Sequence, residues 1–193
     1  MACIKKIKIE DTIYEANTDF RTAIRCNEIA QDETIGNFER SLGVICTMFG
    51  DKGLDNPSHY EKLLKWALKY LSCGEEIKDT REEADMDFVE DMDYIEASFM
   101  SDYQIDLTEE NMDWHKFLKL MNGLSNSELG NCCVLNRIRN LRNFDVSTIK
   151  DAKERQKIAE AKERVALKKN RKEYHLTEEQ EESVNEFYKS LGL

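Results

Sequence analysis

The chain has 193 residues, of which 40% are hydrophobic and 35% are charged, and its formal net charge at pH 7 is −11. This length suffices for one domain with a substantial core, or for one domain with a long appendage. Such an acidic chain repels nucleic-acid phosphates. The sequence also contains no run of about 18 apolar residues, which is the length that a membrane-spanning helix needs. The composition therefore argues against nucleic acid and the membrane as partners.

The rarer residues indicate a mainly helical protein of a reducing compartment. The sequence has one proline and eight glycines, so few residues favour tight turns. The six cysteines form no CxxC pair, so we expect reduced thiols. The first residues, "MACIKKIKIEDTIYEANTD", lack the apolar stretch of a signal peptide. These features predict a cytoplasmic location.

Charge is distributed unevenly along the chain. Residues 75–113 contain sixteen acidic and two basic residues, whereas residues 149–173 contain ten basic and five acidic residues. An acidic centre suits a basic protein partner, or serves solubility alone. Basic and acidic residues alternate in the later segment, which favours a solvated or partner-binding helix over a nucleic-acid site.

The N-terminal part predicts a hairpin followed by helices. Apolar residues flank the polar turn Glu10-Asp11, although their alternation is imperfect. Residues 17–19 offer N-cap oxygens to a helix that starts at Phe20. The next helical spacing places Phe38, Leu42, Ile45 and Phe49 on one face, and Gly43 weakens the prediction of an unbroken helix.

The central part predicts three further helices. In the first, Asn56 is the cap, Pro57 lies in the first turn and Gly74 is the stop, and the buried stripe is predicted as Leu64, Ala67, Leu68 and Leu71. In the second, the stripe is Phe88, Met92, Ile95 and Phe99. In the third, Thr108 is the predicted N-cap, Glu109 and Glu110 lie in the first turn, and Gly123 ends the helix.

The C-terminal part changes character. Ser125 and Glu128 form a predicted capping box for a helix through Cys132 and Cys133 towards Ile138. Residues 147–174 are helix-forming but have at most a narrow apolar stripe, and Thr177 and Gln180 are predicted to cap a short last helix. We therefore expect two domains, a helical domain with an N-terminal hairpin at 1–146 and a charged helical extension at 147–193.

The segment "NMDWHKFLKLMNGLS" (residues 111–125) combines an acid, a tryptophan and a histidine. Asp113 and His115 are two residues apart and would point to different sides of a helix, so a catalytic or metal-binding pair is disfavoured. Trp114, Phe117, Leu118 and Met121 share a helical face, which predicts core or, alternatively, a surface groove or subunit contact. We expect Trp114 to be buried and Asp113 to face solvent.

No other segment forms a recognisable catalytic, cofactor-binding or metal site. The acidic run "EEADMDFVEDMD" resembles a calcium loop, but the frame that begins at Asp85 has Glu90 where the loop needs glycine. A solvated acidic face explains this run better. The residues alone therefore predict a mostly helical protein with no catalytic residue, cofactor or metal.

Four segments in order carry a resemblance to a known family: "YEANTDFRTAI", "WALKYLSCG", "DMDYIEASFMSDYQIDL" and "MDWHKFLKLMNGLS". Over about residues 4–142 the chain resembles the bacteriophage "gene product fifteen" family of siphophages and prophages. Its members are taken to be tail assembly chaperones. The chain departs from the family pattern at Gln104, where glycine is usual, at Asp113, where histidine is common, and at His115, which replaces a second tryptophan.

The resemblance also indicates which positions matter. The polar matches are Asp19, Arg21 and Asp106, and Phe20 is an apolar match. The residues for which the resemblance implies a contact with a partner are Tyr94, Phe99, Tyr103, Ile105, Asp106, Trp114 and Phe117.

The resemblance implies a non-enzymatic binder. Its expected partners are the phage tape measure protein, which it would keep soluble, and the tail tube protein, which it would help recruit. Several copies would act together, and a homo-oligomer fits this role, although the sequence leaves the oligomeric state open. The protein would remain in the cytoplasm of the bacterial host and be absent from the mature virion. The alternatives are a structural tail subunit and, less in keeping with the residues, a metal- or carboxylate-dependent enzyme.

Overall fold

The computed structural model describes residues 3–74, 84–126 and 132–168, and these form a mainly helical fold with a short N-terminal hairpin. The predicted fold class is confirmed. The two strands and seven helices of the described residues are β1 Ile4–Ile9, β2 Thr12–Asn17, α1 Phe20–Gln31, α2 Asn37–Phe49, α3 Tyr60–Leu71, α4 Met92–Tyr103, α5 Trp114–Asn122, α6 Val134–Asn143 and α7 Ala152–Arg164.

The chain divides into two compact units, Met1–Phe144 and Asp145–Leu193. The first contains the hairpin and helices α1–α6, and the second contains α7. This division falls two residues before the boundary predicted from the sequence. Separate functional roles for a chaperone-like domain and a C-terminal extension stay a prediction.

The hairpin turns at Glu10-Asp11, as predicted, and Glu10 adopts the left-handed conformation with φ 54°. Residues opposite each other share a face, because side chains alternate along a strand. The inner face carries the buried residues Ile9, Tyr14 and Ala16. The outer face carries Ile4, Lys6, Lys8, Ile13, Glu15 and Asn17, all of which are exposed. The imperfect alternation therefore arises because Ile4 and Ile13 lie on the outer face.

Helices α1 and α2 pack closely against each other and against the hairpin. Asp19, one of the three predicted cap candidates, is the N-cap of α1 and accepts a hydrogen bond from the N–H of Arg21 at 3.0 Å. Helix α2 is unbroken through Gly43, where an added Cβ would lie only 2.8 Å from Ile29. Glycine thus permits the close approach of the two helices. The placement of Phe38 on the buried face was wrong: it is 65% exposed because it lies in the first turn of α2, while Val44, Ile45, Met48 and Phe49 are buried.

Helix α3 lies between the predicted cap and the predicted stop, but it begins only at Tyr60 and its buried face is rotated. Asn56 caps a short 3-10 turn with Pro57 at its start, and α3 follows directly. Gly74 has φ 80°, which suits the predicted left-handed stop. The buried residues are Leu63, Ala67, Tyr70 and Leu71. Leu68 is 39% exposed, so the prediction of its burial was wrong.

Helix α4 follows the predicted pattern. Ile95 and Phe99 are completely buried, and Phe88 and Met92 pack against the core while partly exposed. Its C-cap is Gln104, in the left-handed conformation with φ 56° and ψ 34°. Glycine is favoured in that conformation, which gives a physical reason for a glycine at this position in the family pattern.

Two predicted helix starts were wrong. Helix α5 begins at Trp114 with Asp113 as its N-cap, whereas Thr108 donates its hydroxyl to Asp106 in a turn before the helix. Helix α6 begins at Val134 with Cys133 as its N-cap, so Ser125 does not cap it. Glu128 lies outside the described residues. Gly123 ends α5 as predicted, and a side chain there would collide with the Tyr103 hydroxyl at 2.8 Å.

The second unit contains a charged helix without a buried residue. Helix α7 is capped by Asp151, which accepts a hydrogen bond from the N–H of Glu154 at 2.8 Å. A short 3-10 turn, Val146–Thr148, contacts α7 within this unit. The remainder of the predicted long helix and the predicted last helix at Thr177 lie outside the described residues.

Candidate partner-binding surfaces

Helix α5 is anchored through the backbone that precedes it. The N–H of Trp114 donates to the carbonyl of Thr18 at 2.9 Å, and the N–H of Phe20 donates to the carbonyl of Met112 at 2.8 Å. Asp19 and Asp113 thus face each other in an isolated antiparallel bridge, each capping its own helix. The bridge explains why Asp113 is the N-cap and α5 begins at Trp114.

The stripe of α5 is core, as expected. Trp114 is 2% exposed and Phe117 is completely buried, while Leu118 and Met121 are partly buried against the core. The indole N–H of Trp114 donates to the carbonyl of Leu71 at 3.0 Å. The apolar face of α5 therefore packs into the protein's own core and is not available as a groove.

His115 packs on helix α3. Its ring stacks on Tyr70 with centroids 4.2 Å apart, and its Nε2 donates to the Tyr70 carbonyl at 2.8 Å. One ring nitrogen is therefore engaged with the backbone, and the ring faces an aromatic side chain. This arrangement fastens α5 to α3.

The expected exposure of Asp113 was wrong, because its side chain is 30% exposed and held on several sides. The Tyr70 hydroxyl donates to it at 2.8 Å, and the Lys5 ammonium lies 3.5 Å away. Burial alone would raise the pKa of Asp113, but hydrogen bonds from Tyr70 and Thr18 and the charge of Lys5 together lower it below 3.8. Burial and the Asp113 hydrogen bond and charge raise the pKa of Tyr70.

Asp113→Asn tests this arrangement. A carboxylate whose pKa is lowered by folding stabilises the protein above its unfolded pKa of 3.8, and this stabilisation disappears as the pH falls through the lower folded value. Asparagine retains an N-cap oxygen but does not titrate. We expect the variant to lose less stability than the wild type between about pH 5 and about pH 2. Urea unfolding across this range measures the difference, and an unchanged pH dependence would contradict the assignment.

The polar positions that match the family pattern hold the loop before α5. Asp19 accepts a hydrogen bond from the N–H of Met112 at 3.2 Å and pairs with Arg21 at 3.2 Å. Arg21 also donates to the carbonyls of Leu107 and Glu110. Asp106 accepts a hydrogen bond from the N–H of Thr108 at 2.8 Å. These contacts give the three residues a structural role in fixing residues 106–113.

The seven residues predicted to contact a partner differ in accessibility. Phe99, Trp114 and Phe117 are buried, and the structure does not bring their side chains to the surface. The other four are partly exposed: Tyr94, Tyr103, Ile105 and Asp106. The Tyr103 hydroxyl is occupied by the carbonyl of Leu120 at 2.9 Å. Partner contact at these seven positions stays a prediction. Of the seven, only the four partly exposed residues could touch a partner directly in this structure.

A large open groove lies beside the outer face of the hairpin, and we call it the hairpin groove. Its volume is about 960 Å³. Its apolar lining consists of Ile4, Ile13, Met48 and Phe49, and its charged and polar lining includes Glu15, Asn17, Arg21, Thr22, Thr47 and Lys52. Ile4 is 49% exposed and Ile13 is 51% exposed, so two large apolar side chains border this groove in contact with solvent.

Sequence reasoning did not identify the hairpin groove. The available signal was the departure from alternation in the hairpin, because Ile4 and Ile13 occupy positions that the pattern assigns to the outer face. The other side of the groove is supplied by the end of α2, more than 30 residues later. Only the fold brings these two segments together.

A second, smaller surface lies on helix α4. It has a volume of about 420 Å³ and includes Asp93, Glu96, Ala97, Met100 and Asp106, which together we call the α4 face. All three of its charged residues are acidic, and Met100 is 46% exposed. Of the seven predicted partner residues, Asp106 alone belongs to this face.

Within residues 3–74, 84–126 and 132–168, no three His, Cys, Asp or Glu side chains are grouped so as to hold a metal ion. None of the helices in those ranges is long and apolar enough to cross a membrane.

The chain matches a family model over most of its length. No curated protein and no solved structure matched the chain. The family model described as "Bacteriophage Gp15 protein" matches residues 2–167, which include almost all of the described fold. Together with the ordered segments and the helical architecture, this match shows that the chain belongs to the bacteriophage Gp15 protein family.

Proposed function

We propose that this protein is a phage tail assembly chaperone, a non-catalytic binder of the tape measure protein that keeps it soluble and helps recruit tail tube subunits. Membership of the bacteriophage Gp15 family supports a phage-related role. The observation that carries the finer proposal is the hairpin groove, where Ile4 and Ile13 remain about half exposed.

The hairpin groove suits an apolar stripe on a helical partner. An amphipathic helix binds by placing its apolar residues in a groove lined by apolar side chains. Ile4 and Ile13 offer contact area that the protein does not cover itself, while Met48 and Phe49, which are buried, lie at the inner side of the groove. A net charge of −11 keeps the chaperone, and a complex that it coats, in solution.

Co-expression with the tape measure protein of the same phage tests the proposal. We expect the two proteins to co-purify and the recovery of soluble tape measure protein to increase. Tail tube protein added to this complex is expected to bind it and to displace the chaperone. If co-expression changes neither solubility nor recovery, the chaperone proposal is wrong. Mass spectrometry of purified virions is the second measurement, because a structural tail subunit would be found in the particles and a chaperone would not.

The double variant Ile4→Thr/Ile13→Thr tests the hairpin groove itself. Threonine keeps the β-branched side chain that strands favour, but each substitution removes about 1 kcal/mol of apolar contact. Together the two should weaken tape measure binding by about tenfold or more. Pull-down titration of the co-expressed proteins measures the change.

Phe38→Ser is the matched control for this double variant. Phe38 is 65% exposed and lies in the first turn of α2, about 15 Å along the helix from the end that lines the groove. We expect the control to bind like the wild type. If both variants weaken tape measure binding equally, the binding depends on non-specific apolar contact, and a specific role for the hairpin groove is contradicted.

A further inference from the structure

We propose that the free edge of strand β1 binds an extended acidic segment of a partner protein, which adds to the hairpin as a third strand. This inference goes beyond the proposed chaperone function and uses the edge of β1 rather than the hairpin groove. It rests on backbone groups of β1 that the hairpin leaves unpaired and on a group of lysines beside them.

One side of β1 has backbone groups that the hairpin does not use. The N–H of Thr18 donates to the carbonyl of Cys3 at 2.7 Å, so these two residues are a hydrogen-bonded pair. Because such pairs alternate along an antiparallel ladder, every second residue of β1 turns its N–H and C=O groups away from β2. These residues are Ile4, Lys6 and Lys8, and all three are exposed. Within the described residues their outward backbone groups have no other hydrogen-bond partner, so β1 presents a row of available donors and acceptors.

Helix α2 packs against β2, whereas helix α3 runs alongside β1. The Lys62 ammonium lies 2.7 Å from the Glu10 carboxylate, next to the end of β1 and the start of α3. The Lys5 ammonium lies over the Tyr70 ring, 4.4 Å from its centroid, next to the start of β1 and the end of α3. One side of α3 therefore borders β1 along the length of the strand.

Lysines gather where β1 and α3 lie side by side. Lys65 and Lys69 follow Lys62 by three and seven positions, so they share its side of the helix. Together with the lysines of the strand they form what we call the β1–α3 surface: Lys5, Lys6, Lys8, Lys62, Lys65 and Lys69.

Half of these lysines have an acidic partner. The partners of Lys5, Lys6 and Lys62 are Asp113, Glu15 and Glu10. In the described part of the chain, Lys8, Lys65 and Lys69 form no ion pair, and all three are exposed. The β1–α3 surface therefore keeps unpaired positive charge in a chain whose net charge is −11.

An acidic strand is the occupant that suits this edge. Pairing with β1 of a second copy would place lysines opposite lysines, which destabilises a sheet, and lysine on an edge strand disfavours uncharged strands as well. An added strand with acidic side chains opposite Lys6 and Lys8 gains ion pairs and backbone hydrogen bonds together. Its alternate side chains would lie on the inner face beside Ile7, which is partly exposed, so apolar residues suit those positions. The expected segment thus alternates acidic and apolar residues.

Fluorescence anisotropy of a labelled, acetylated peptide in which glutamate and valine alternate tests the proposal. We expect saturable binding to the full chain at low salt. Raising the salt from about 0.05 M to about 0.5 M should weaken it by about tenfold, because salt screens exposed charges. A peptide with lysine in place of glutamate should not bind. If the glutamate peptide does not bind at protein concentrations up to about 1 mM, or if both peptides bind equally, the proposal is overturned.

Backbone methylation of the peptide separates strand addition from attraction between charges. In the proposed pairing the glutamate N–H groups point towards β1 and the valine N–H groups point away from it. Methylating the glutamate nitrogens keeps the charge but should weaken binding by about tenfold or more, because donors to β1 are lost. Methylating the valine nitrogens is the matched control and should leave binding close to that of the parent peptide. If the two methylated peptides bind alike, no strand is added.

Hydrogen exchange measured by NMR locates the added strand. The N–H groups of Lys6 and Lys8 face outward, so they should exchange more slowly when the glutamate peptide is bound. Those of Lys5 and Ile7 already belong to the ladder with β2 and should change much less. Bound peptide without slower exchange at Lys6 and Lys8 would overturn the proposal.

Charge reversal on the protein identifies the surface. Lys8→Glu/Lys69→Glu changes one unpaired lysine on each element and should weaken peptide binding by about tenfold or more. Lys119→Glu/Arg137→Glu is the matched control, because it makes the same change in net charge on exposed residues of α5 and α6. The control should bind the peptide like the wild type. Equal weakening by both double variants would mean attraction to the protein as a whole and would overturn the proposal.

The remaining outcomes also decide the question. Far-UV circular dichroism shows whether each variant is folded, and if Lys8→Glu/Lys69→Glu is not, Lys8→Gln/Lys69→Gln replaces it and should weaken binding by about threefold or more. An oligothymidylate with the charge of the peptide lacks the backbone groups of a strand and should bind about tenfold more weakly. Equal or tighter binding of the oligothymidylate would mark a nucleic-acid site and overturn the proposal. Lys8 and Lys69 do not line the hairpin groove, so tape measure recovery reports on the chaperone function independently.

Discussion

Asp91→Ala is expected to lower the free energy of unfolding by about 3–5 kcal/mol. Asp91 is completely buried, and its two carboxylate oxygens each accept a hydrogen bond from the Arg142 guanidinium at 2.7 Å. The Arg142 side chain is only 9% exposed. Removing the carboxylate leaves this cation without its counter-charge in a site with little water. Urea unfolding of the two proteins measures the difference.

Asp85→Ala is the matched control. Asp85 pairs with Arg139 at 3.1 Å and accepts a hydrogen bond from Asn143 at 3.1 Å, but its side chain is 28% exposed. A partly exposed pair contributes much less than a completely buried one, so the control should lose only about 1 kcal/mol. If Asp91→Ala costs no more than Asp85→Ala, the buried pair does not hold α4 and α6 together.

A double-mutant cycle separates the pair from its surroundings. Arg142→Met removes the cation and keeps much of the volume, and in the Asp91→Ala background it should cost less than in the wild type. A coupling energy of at least about 1 kcal/mol is expected, because the two side chains share one interaction. The hydrogen bonds that Arg142 donates to Asp91 raise the pKa of Arg142, so the guanidinium remains charged throughout the accessible pH range.

The sequence predicted those elements whose boundaries are encoded locally. The hairpin turn, the Asp19 cap, the Pro57 turn and the Gly123 stop all depend on residues next to them, and the structure confirms each one. The fold class follows from such signals. When a sequence predicts a succession of capped helices and no strands beyond the hairpin, the helices must pack mainly against one another.

The start of α5 was mispredicted because its N-cap is chosen by a distant segment. Thr108 and Asp113 are both good N-cap residues, so local preference does not decide between them. The backbone bridge to Thr18 and Phe20 fixes Asp113 as the N-cap. Contacts between residues more than 90 positions apart leave no periodic signal in the sequence. The half-burial of Asp113 was mispredicted for the same reason.

The burial of Phe38 and Leu68 was mispredicted because helical spacing identifies an apolar stripe but not where it meets the core. Both residues lie on apolar stripes at helical spacing, yet the packing of α2 and α3 leaves them exposed. The hairpin groove was missed for a related reason. An outward-facing isoleucine on a strand is unremarkable by itself. It becomes a candidate contact only when the end of α2 is found next to it.

Phe117→Ala is expected to destabilise the protein by about 3–5 kcal/mol, the usual cost of emptying a large aromatic site in a core. Phe117 is completely buried and stacks on Phe20 with centroids 4.5 Å apart and on Phe99 at 5.3 Å. It also lies beside Trp114 in the same helix. One side chain therefore joins α1, α4 and α5, so its removal leaves a cavity that no single helix can close.

Two further variants make this prediction decisive. Phe38→Ala deletes the same atoms from a side chain that is 65% exposed, and it should change stability by less than about 0.5 kcal/mol. Phe117→Leu retains part of the volume and should fall between the wild type and Phe117→Ala, which keeps the series measurable if the alanine variant does not fold. Chemical unfolding of all three gives the order. If Phe117→Ala is no more costly than Phe38→Ala, the aromatic contacts of α5 do not form the core that stabilises this protein.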